Sequence, residues 1–219
     1  MLPRLAVVDP ELTLSLPPAV TASTGLDALT QLIEPYVSIR ANPLTDGFCL
    51  EGLQRVSRAL RQAYHCGHDI TAREHMSLAS LLGGLALANA GLGVVHGFAA
   101  PLGGMFNAPH GAVCAALLPH AMAINIRASR ARAPESETLR RYETVARLLT
   151  GGAGATAEEG IEWVRELCGE LQIPPLSSYG IQERDVPALV EGASRASSTK
   201  GNPITLTMDE LREVLTRAL

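Results

Sequence analysis

The stretch Gly91–Gly111, GLGVVHGFAAPLGGMFNAPHG, holds two histidines fourteen positions apart, six glycines and no acidic or basic side chain. It lies in a longer uncharged segment, since no Asp, Glu, Lys or Arg occurs between Glu74 and Arg127. Imidazoles in so apolar a setting need partners, because a polar group buried without one costs free energy. One histidine on an apolar face is ordinarily a hydrogen-bonded core residue. Two of them, His96 and His110, bracket a PLGG read as a turn, and a single helix-turn-helix reversal brings them together. The run Leu78–Val95 approaches the length of a bilayer span, and Gly93 with Gly97 match a small-xxx-small spacing. Asn89, the glycines and Pro101 interrupt it, however, and no aromatic or basic belt flanks it. The reading is a long helix buried on all sides in a globular core.

Working outward, GAVCAALLPHAMAINIRA after Pro109 reads as a second buried helix, and Thr71 with Glu74 as a capping box for the long apolar one. Upstream, AVTASTGLDALTQLIEPYVS is a helix with Pro35 near its end. Asn42-Pro43 opens another through LEGLQRVSRALRQAY, proline being suited to a first turn. Downstream, SETLRRYETVARLLT and EEGIEWVRELCGEL are amphipathic, the second capped by Thr156 with Glu159. ERDVPALVEGASRAS is a short helix, and MDELREVLTRAL is capped by Thr207 with Glu210. Seven or eight helices result, with no internal repeat and no dividing linker. The fold class is all-α, a multi-helix bundle with one β-like run, Leu5–Val8, ended by Asp9-Pro10. Residues 1–16 are read as strand and linker, residues 17–219 as one helical domain.

With 219 residues, 47% hydrophobic and 18% charged, the chain can bury a substantial core. Net charge is −4 with both signs mixed, and aromatic residues are 4%, so no basic nucleic-acid stripe with stacking groups is present. Cys49, Cys66, Cys114 and Cys168 form no CxxC pair, which points to free thiols in a reducing cytoplasm. The opening MLPRLAVVDPEL lacks the apolar run of a signal peptide.

Asp27 and Gln31 stand four apart in TGLDALTQLIE, one turn apart on one helix face. Asp27 lies among Leu26, Leu29, Leu32 and Ile33, so its carboxylate needs a partner or a cation. Pairing with free amides at the helix start is one reading. Ligation is the other, for Asp27, His96 and His110 make a set suited to Zn²⁺ or Fe²⁺ with positions open for substrate. Such an ion polarises a carbonyl or lowers the pKa of a bound hydroxyl. A 2-His-1-carboxylate oxygenase uses the same set, although usually on a β-barrel.

Other residues read plainly. GGAGAT at 151–156 follows a helix and lacks the third glycine of a phosphate turn, so it is an interhelical loop. His65, His68 and His75 are solvated, His120 is a hydrogen-bonded core histidine, and Lys200 is a surface lysine. The arginines from Arg127 to Arg141 form a solvated run.

The segments VVDPELTLSLPPAVTASTGLDALTQLIE, NPLTDG and AGLGVVHGFAAPLGGMFNAPHGAVCAALLPHAMAIN resemble the iron-containing (group III) alcohol dehydrogenase family, including its maleylacetate reductase branch. The likeness runs from Leu5 through Asn125 and resumes at GNPITLT and the last helix. It implies a C-terminal helical domain whose metal ligands come from a DALTH helix, from VH and from PHG. Those positions are Asp27, Gln31, His96 and His110. The chain departs from the family in two of its histidines. Gln31 stands where the family has histidine, and an amide oxygen is a poorer ligand for Fe²⁺ or Zn²⁺. Ala100 stands where a further histidine near the nicotinamide helps relay protons, so no catalytic residue is assigned. The resemblance also implies an N-terminal dinucleotide domain, absent from this chain, which would hold most of the NAD(P) site and own the sheet to which Leu5–Val8 belongs. The expected function is the metal- and substrate-binding half of an NAD(P)-dependent alcohol dehydrogenase or carbonyl reductase, acting on a small alcohol, aldehyde or keto substrate and inactive alone. The alternative is a stand-alone, non-catalytic module acting by partner or metal binding. An uncovered cleft wall leads to an expected dimer.

Overall fold

The computed structural model describes residues 5–219, and among these it contains nine α-helices and no strand. They are α1 (Pro18–Val37), α2 (Pro43–His65), α3 (Ile70–Ala90), α4 (Val94–Met105), α5 (His110–Arg132), α6 (Glu137–Thr150), α7 (Ala157–Glu170), α8 (Val186–Arg195) and α9 (Met208–Thr216). α1 packs on α2, α3 and α5; α6 pairs with α7; α8 lies between α4 and α9. The core runs through Leu26, Leu29 and Leu32 of α1, Phe98 and Leu102 of α4, and Leu117 and Met122 of α5, all fully buried.

Local chemistry sets most boundaries. Asn42 Oδ1 accepts from the Thr45 amide while Thr45 Oγ1 accepts from the Asn42 amide, a reciprocal cap that starts α2 beside Pro43. Thr156 with Glu159 and Thr207 with Glu210 close the same box on α7 and α9, as their spacing predicts. The residues Gly151 to Thr156 are an interhelical loop between α6 and α7. Leu14 to Leu16 carry the chain from a short 3₁₀ turn, Pro10–Thr13, into α1.

Five local readings are corrected. Leu5–Val8 is exposed, irregular chain rather than a strand, because no second strand is there to take its backbone hydrogen bonds; residues 1–4 of the same segment lie outside the described residues. α3 is capped by Asp69, whose carboxylate accepts from the Ala72 amide at 3.0 Å, so Thr71 falls inside the helix instead of capping it with Glu74. The long apolar helix is in fact two. It breaks at Gly91, held at φ 70°, and α3 and α4 meet at 99°. Nor is α3 wrapped on all sides, since Leu81 and Leu85 are exposed. Finally, PLGG lies inside α4, and the reversal between the two histidines is made by Phe106 to Pro109.

α5 is long and apolar enough to cross a membrane by length and composition, but 78% of that window is buried against other helices, as in a core helix. The arginine run is paired rather than free: Arg130 meets Glu158, Arg132 meets Glu210, and half-buried Arg141 forks onto Asp46 at 2.7 and 2.9 Å. Each stitches α5 or α6 to another element.

Candidate metal centre

α1, α4 and α5 converge at one point. Asp27, Gln31 and Glu34 follow the i, i+4, i+7 stripe of α1, His96 sits in the first turn of α4, and His110 is the first residue of α5. Cys114 stands one turn further along α5. The close approach of α5 to α1 depends on Gly111, where a Cβ would lie 2.3 Å from the Ser23 carbonyl oxygen and 3.3 Å from the Asp27 Cβ. That contact delivers His110 to Asp27.

The three residues nominated by spacing do meet. Asp27 Oδ1 lies 3.3 Å from His96 Nε2 and 3.7 Å from His110 Nε2, and the two imidazole centroids are 5.4 Å apart. One donor atom each from Asp27, His96, His110 and Cys114 all fall within 4.8 Å of one another. Asp27 Oδ1 is buried and takes no hydrogen bond of good geometry, an orphaned acceptor in a ring of donors. Donors bonded at zinc-like distances in a tetrahedron lie about 3.3–3.8 Å apart, and the two Asp27–imidazole separations of 3.3 and 3.7 Å fall in that span. The residues present therefore fit a divalent ion. Gln31 donates from Nε2 to Asp27 Oδ2 at 2.9 Å.

A second layer fixes the first. Glu34 is almost fully buried and spends both oxygens on α4: Oε2 lies 2.7 Å from His96 Nδ1, and Oε1 accepts from the Val95 amide at 2.7 Å. Asn202 Oδ1 accepts from the Val94 amide at 3.2 Å, and the Asn202 amide is returned to Asn125 Oδ1 at 2.7 Å. The first amides of α4, which its Gly93 cap cannot satisfy by side chain, thus find partners from elsewhere in the chain. The Glu34 carboxylate also suits the positive end of that helix, and it leaves His96 Nε2 facing Asp27.

The charges are strongly coupled. Burial disfavours the His96 imidazolium, yet Asp27, Cys114 and Glu34 outweigh it and push its pKa up to about 12. Burial works to raise the Asp27 pKa, but the neighbouring His96 imidazole first, and then His110, bring it down. Burial lifts the Cys114 thiol to about 11. Without an ion, a proton on His96 offsets the carboxylates; a cation does the same in its place.

Sequence reasoning missed Glu34, Cys114 and Asn202. Glu34 extends the Asp27–Gln31 stripe by one turn and Cys114 stands at i+4 from His110, so both carried a positional signal. Asn202 had none beyond its place in GNPITLT, since its role depends on a contact 108 residues away. The reading of His120 is corrected: its Nδ1 is buried without a partner, and burial with Arg165 and Arg217 lowers its pKa to about 4. His65 contacts Glu170 and His75 contacts Arg55, while Lys200 is exposed. Ala100 is exposed one turn beyond His96 on α4.

Residues 21–219 match the model of the Fe-containing alcohol dehydrogenase family, C-terminal. Alcohol dehydrogenase 4 of Schizosaccharomyces pombe is 39% identical over 219 residues, covering 100% of this chain and 50% of that protein. The 1,3-propanediol dehydrogenase of Klebsiella pneumoniae is 37% identical over 99% of this chain and 55% of its own length. A crystal structure of 1,3-propanediol oxidoreductase superposes with TM-score 0.88 at 36% identity, covering 96% of this chain and 55% of that one. The chain spans about half the length of the curated relatives it matches.

Proposed function

The chain belongs to the iron-containing alcohol dehydrogenase family, and from that premise we propose that it supplies the metal and substrate side of an NAD(P)-dependent alcohol dehydrogenase or carbonyl reductase. The observation that carries this is the buried, unsatisfied Asp27 Oδ1 facing two imidazoles delivered by separate helices. Asp27, His96 and His110 would hold a divalent ion. When bound, such an ion supplies Lewis-acid polarisation of an alcohol or carbonyl oxygen.

The chain's own residues do the rest. Glu34 orients His96, and the second oxygen of Asp27 is oriented by Gln31, which makes Gln31 a positioning partner in this arrangement. His96 is buried while the His110 side chain is 55% exposed, so substrate enters from the His110 side. Ala100 lies on the same helix, and its methyl group cannot carry a proton. Proton exchange with solvent then passes through water or an acid on the substrate. Hydride transfer needs a nicotinamide site of the kind the longer relatives have room for, and we assign it to a part beyond these residues. Gln31 and Ala100, an amide and a methyl in place of two family histidines, favour a second reading in which the domain binds a metal or partner without catalysis.

The test is elemental analysis with a turnover assay on the 219-residue chain. One divalent ion per chain, lost in Asp27→Ala, with no steady NAD(P)H oxidation on small aldehydes, is the expected result. A chain that never holds an ion above background would overturn the metal reading. Sustained turnover by the chain alone would overturn its assignment as half of a site.

A further inference from the structure

We propose that Cys114 is the fourth protein ligand of this centre, giving a carboxylate, two imidazoles and a thiolate that select zinc over ferrous iron. The proposal rests on the reading of Asp27, His96 and His110 as ligands and adds a donor to it. Cys114 Sγ lies 3.6 Å from His110 Nε2 and 3.9 Å from His96 Nε2, while Asp27 Oδ1 closes the opposite edges at 3.3 and 3.7 Å. These four separations link the donors in a closed ring, and all four donor atoms lie within 4.8 Å of one another, close enough for a single ion bonded at about 2.0 Å to nitrogen and about 2.3 Å to sulfur to reach them together. α5 enforces the pairing, since His110 and Cys114 are one turn apart and share a face.

The Gln31 amide nitrogen is engaged with Asp27 Oδ2. A divalent cation balances the Asp27 carboxylate and the Cys114 thiolate, leaving the buried Glu34 carboxylate behind His96 as a further negative charge that favours the cation. As the ion enters, the Cys114 S–H bond is replaced by a sulfur–metal bond, and the thiol proton leaves to solvent with no change of oxidation state. Thiolate is the soft member of the set and biases it toward Zn²⁺. Four protein ligands also close the coordination shell, so a substrate oxygen binds only by expanding it to five or displacing one ligand.

Co²⁺ is the probe, as it takes zinc's place and reports thiolate bonds by absorbance. The Cys66→Ser chain, which lacks the exposed thiol, is titrated with Co²⁺ alone. The expected result is saturation at one equivalent with the visible bands of tetrahedral cobalt and a near-ultraviolet sulfur-to-cobalt charge-transfer band. Adding Cys114→Ser removes the charge-transfer band and weakens zinc binding at least about tenfold. Adding Cys168→Ser leaves both unchanged. Cobalt bound at one equivalent without the sulfur band overturns the thiolate ligand and leaves the Asp–His–His centre standing. Failure to bind cobalt at all overturns both. Should Cys114→Ser not fold by circular dichroism, Cys114→Ala takes its place, and the band in the parent chain still decides the question.

Discussion

The helices that build the centre and the helices that follow it are stabilised differently. In α6 and α7 the buried residues keep to one stripe, Tyr142, Val145, Ala146 and Leu149 in the first and Ile161, Val164 and Leu167 in the second, with charged residues opposite. α6 ends on Gly151 in the left-handed conformation, α7 starts on the Thr156–Glu159 box, and the exposed Arg130–Glu158 pair ties α7 to α5. α1 and α5 have no such simple face. α5 buries Val113, Cys114, Ala115, Leu117 and Leu118 nearly in succession, and α1 is covered by α2, α3 and α5. In the outer helices orientation follows from which side is apolar. In the inner ones, apolar on most sides, it follows from a few polar side chains that must find each other.

Four substitutions sharpen that contrast, from the largest expected effect to the smallest. Glu34→Gln keeps an acceptor but removes the charge behind His96, so zinc affinity measured by calorimetry should fall about 10–100-fold with the helical fold retained. Unchanged affinity would detach Glu34 from the centre. Gly111→Ala forces a methyl into the Ser23 carbonyl across the α1–α5 contact. It should cost about 1–3 kcal/mol in urea unfolding and weaken metal binding as His110 moves away. On the outer side, Thr156→Ala removes a cap and should cost about 1 kcal/mol with metal affinity untouched. Gly169→Ala, in an exposed turn of α7 with nothing within 4 Å of the new methyl, should stabilise by about 0.5–1 kcal/mol. If the outer pair altered metal binding as much as the inner pair, the division between the two regions would be wrong.

The pH dependence of metal binding follows from the same groups. Asp27 and Glu34 favour a proton on His96, and that proton occupies the nitrogen a metal needs. Zinc affinity should therefore rise from pH 6 to pH 8, with protons released on binding. A flat profile in calorimetric titrations in two buffers would show that His96 does not ligate.

Much of this was legible in advance for a physical reason. Caps at Asn42, Thr156 and Thr207 act within three residues, so their sequence spacing carries them. Asp27, His96 and His110 were legible because polar groups are costly in apolar surroundings, which makes their presence there informative. The errors fall where a short-range rule met a longer one. Thr71 and Glu74 have the spacing of a capping box, but Asp69 stands nearer the helix start. Pro101 with its glycines has the composition of a turn, yet α4 continues through them.

The sequence by itself determined the helical class and the three residues whose chemistry stands out from their neighbours, because these rest on local spacing and on the cost of burying polarity, while the family followed from the resemblance of its motifs. Only the tertiary structure decided that Glu34, Asn202 and Cys114 join them. Glu34 and Asn202 satisfy amides of a helix distant in sequence, and the thiol reaches the imidazoles because Gly111 lets two helices approach closely. Such contacts between distant segments exist only once the chain is packed.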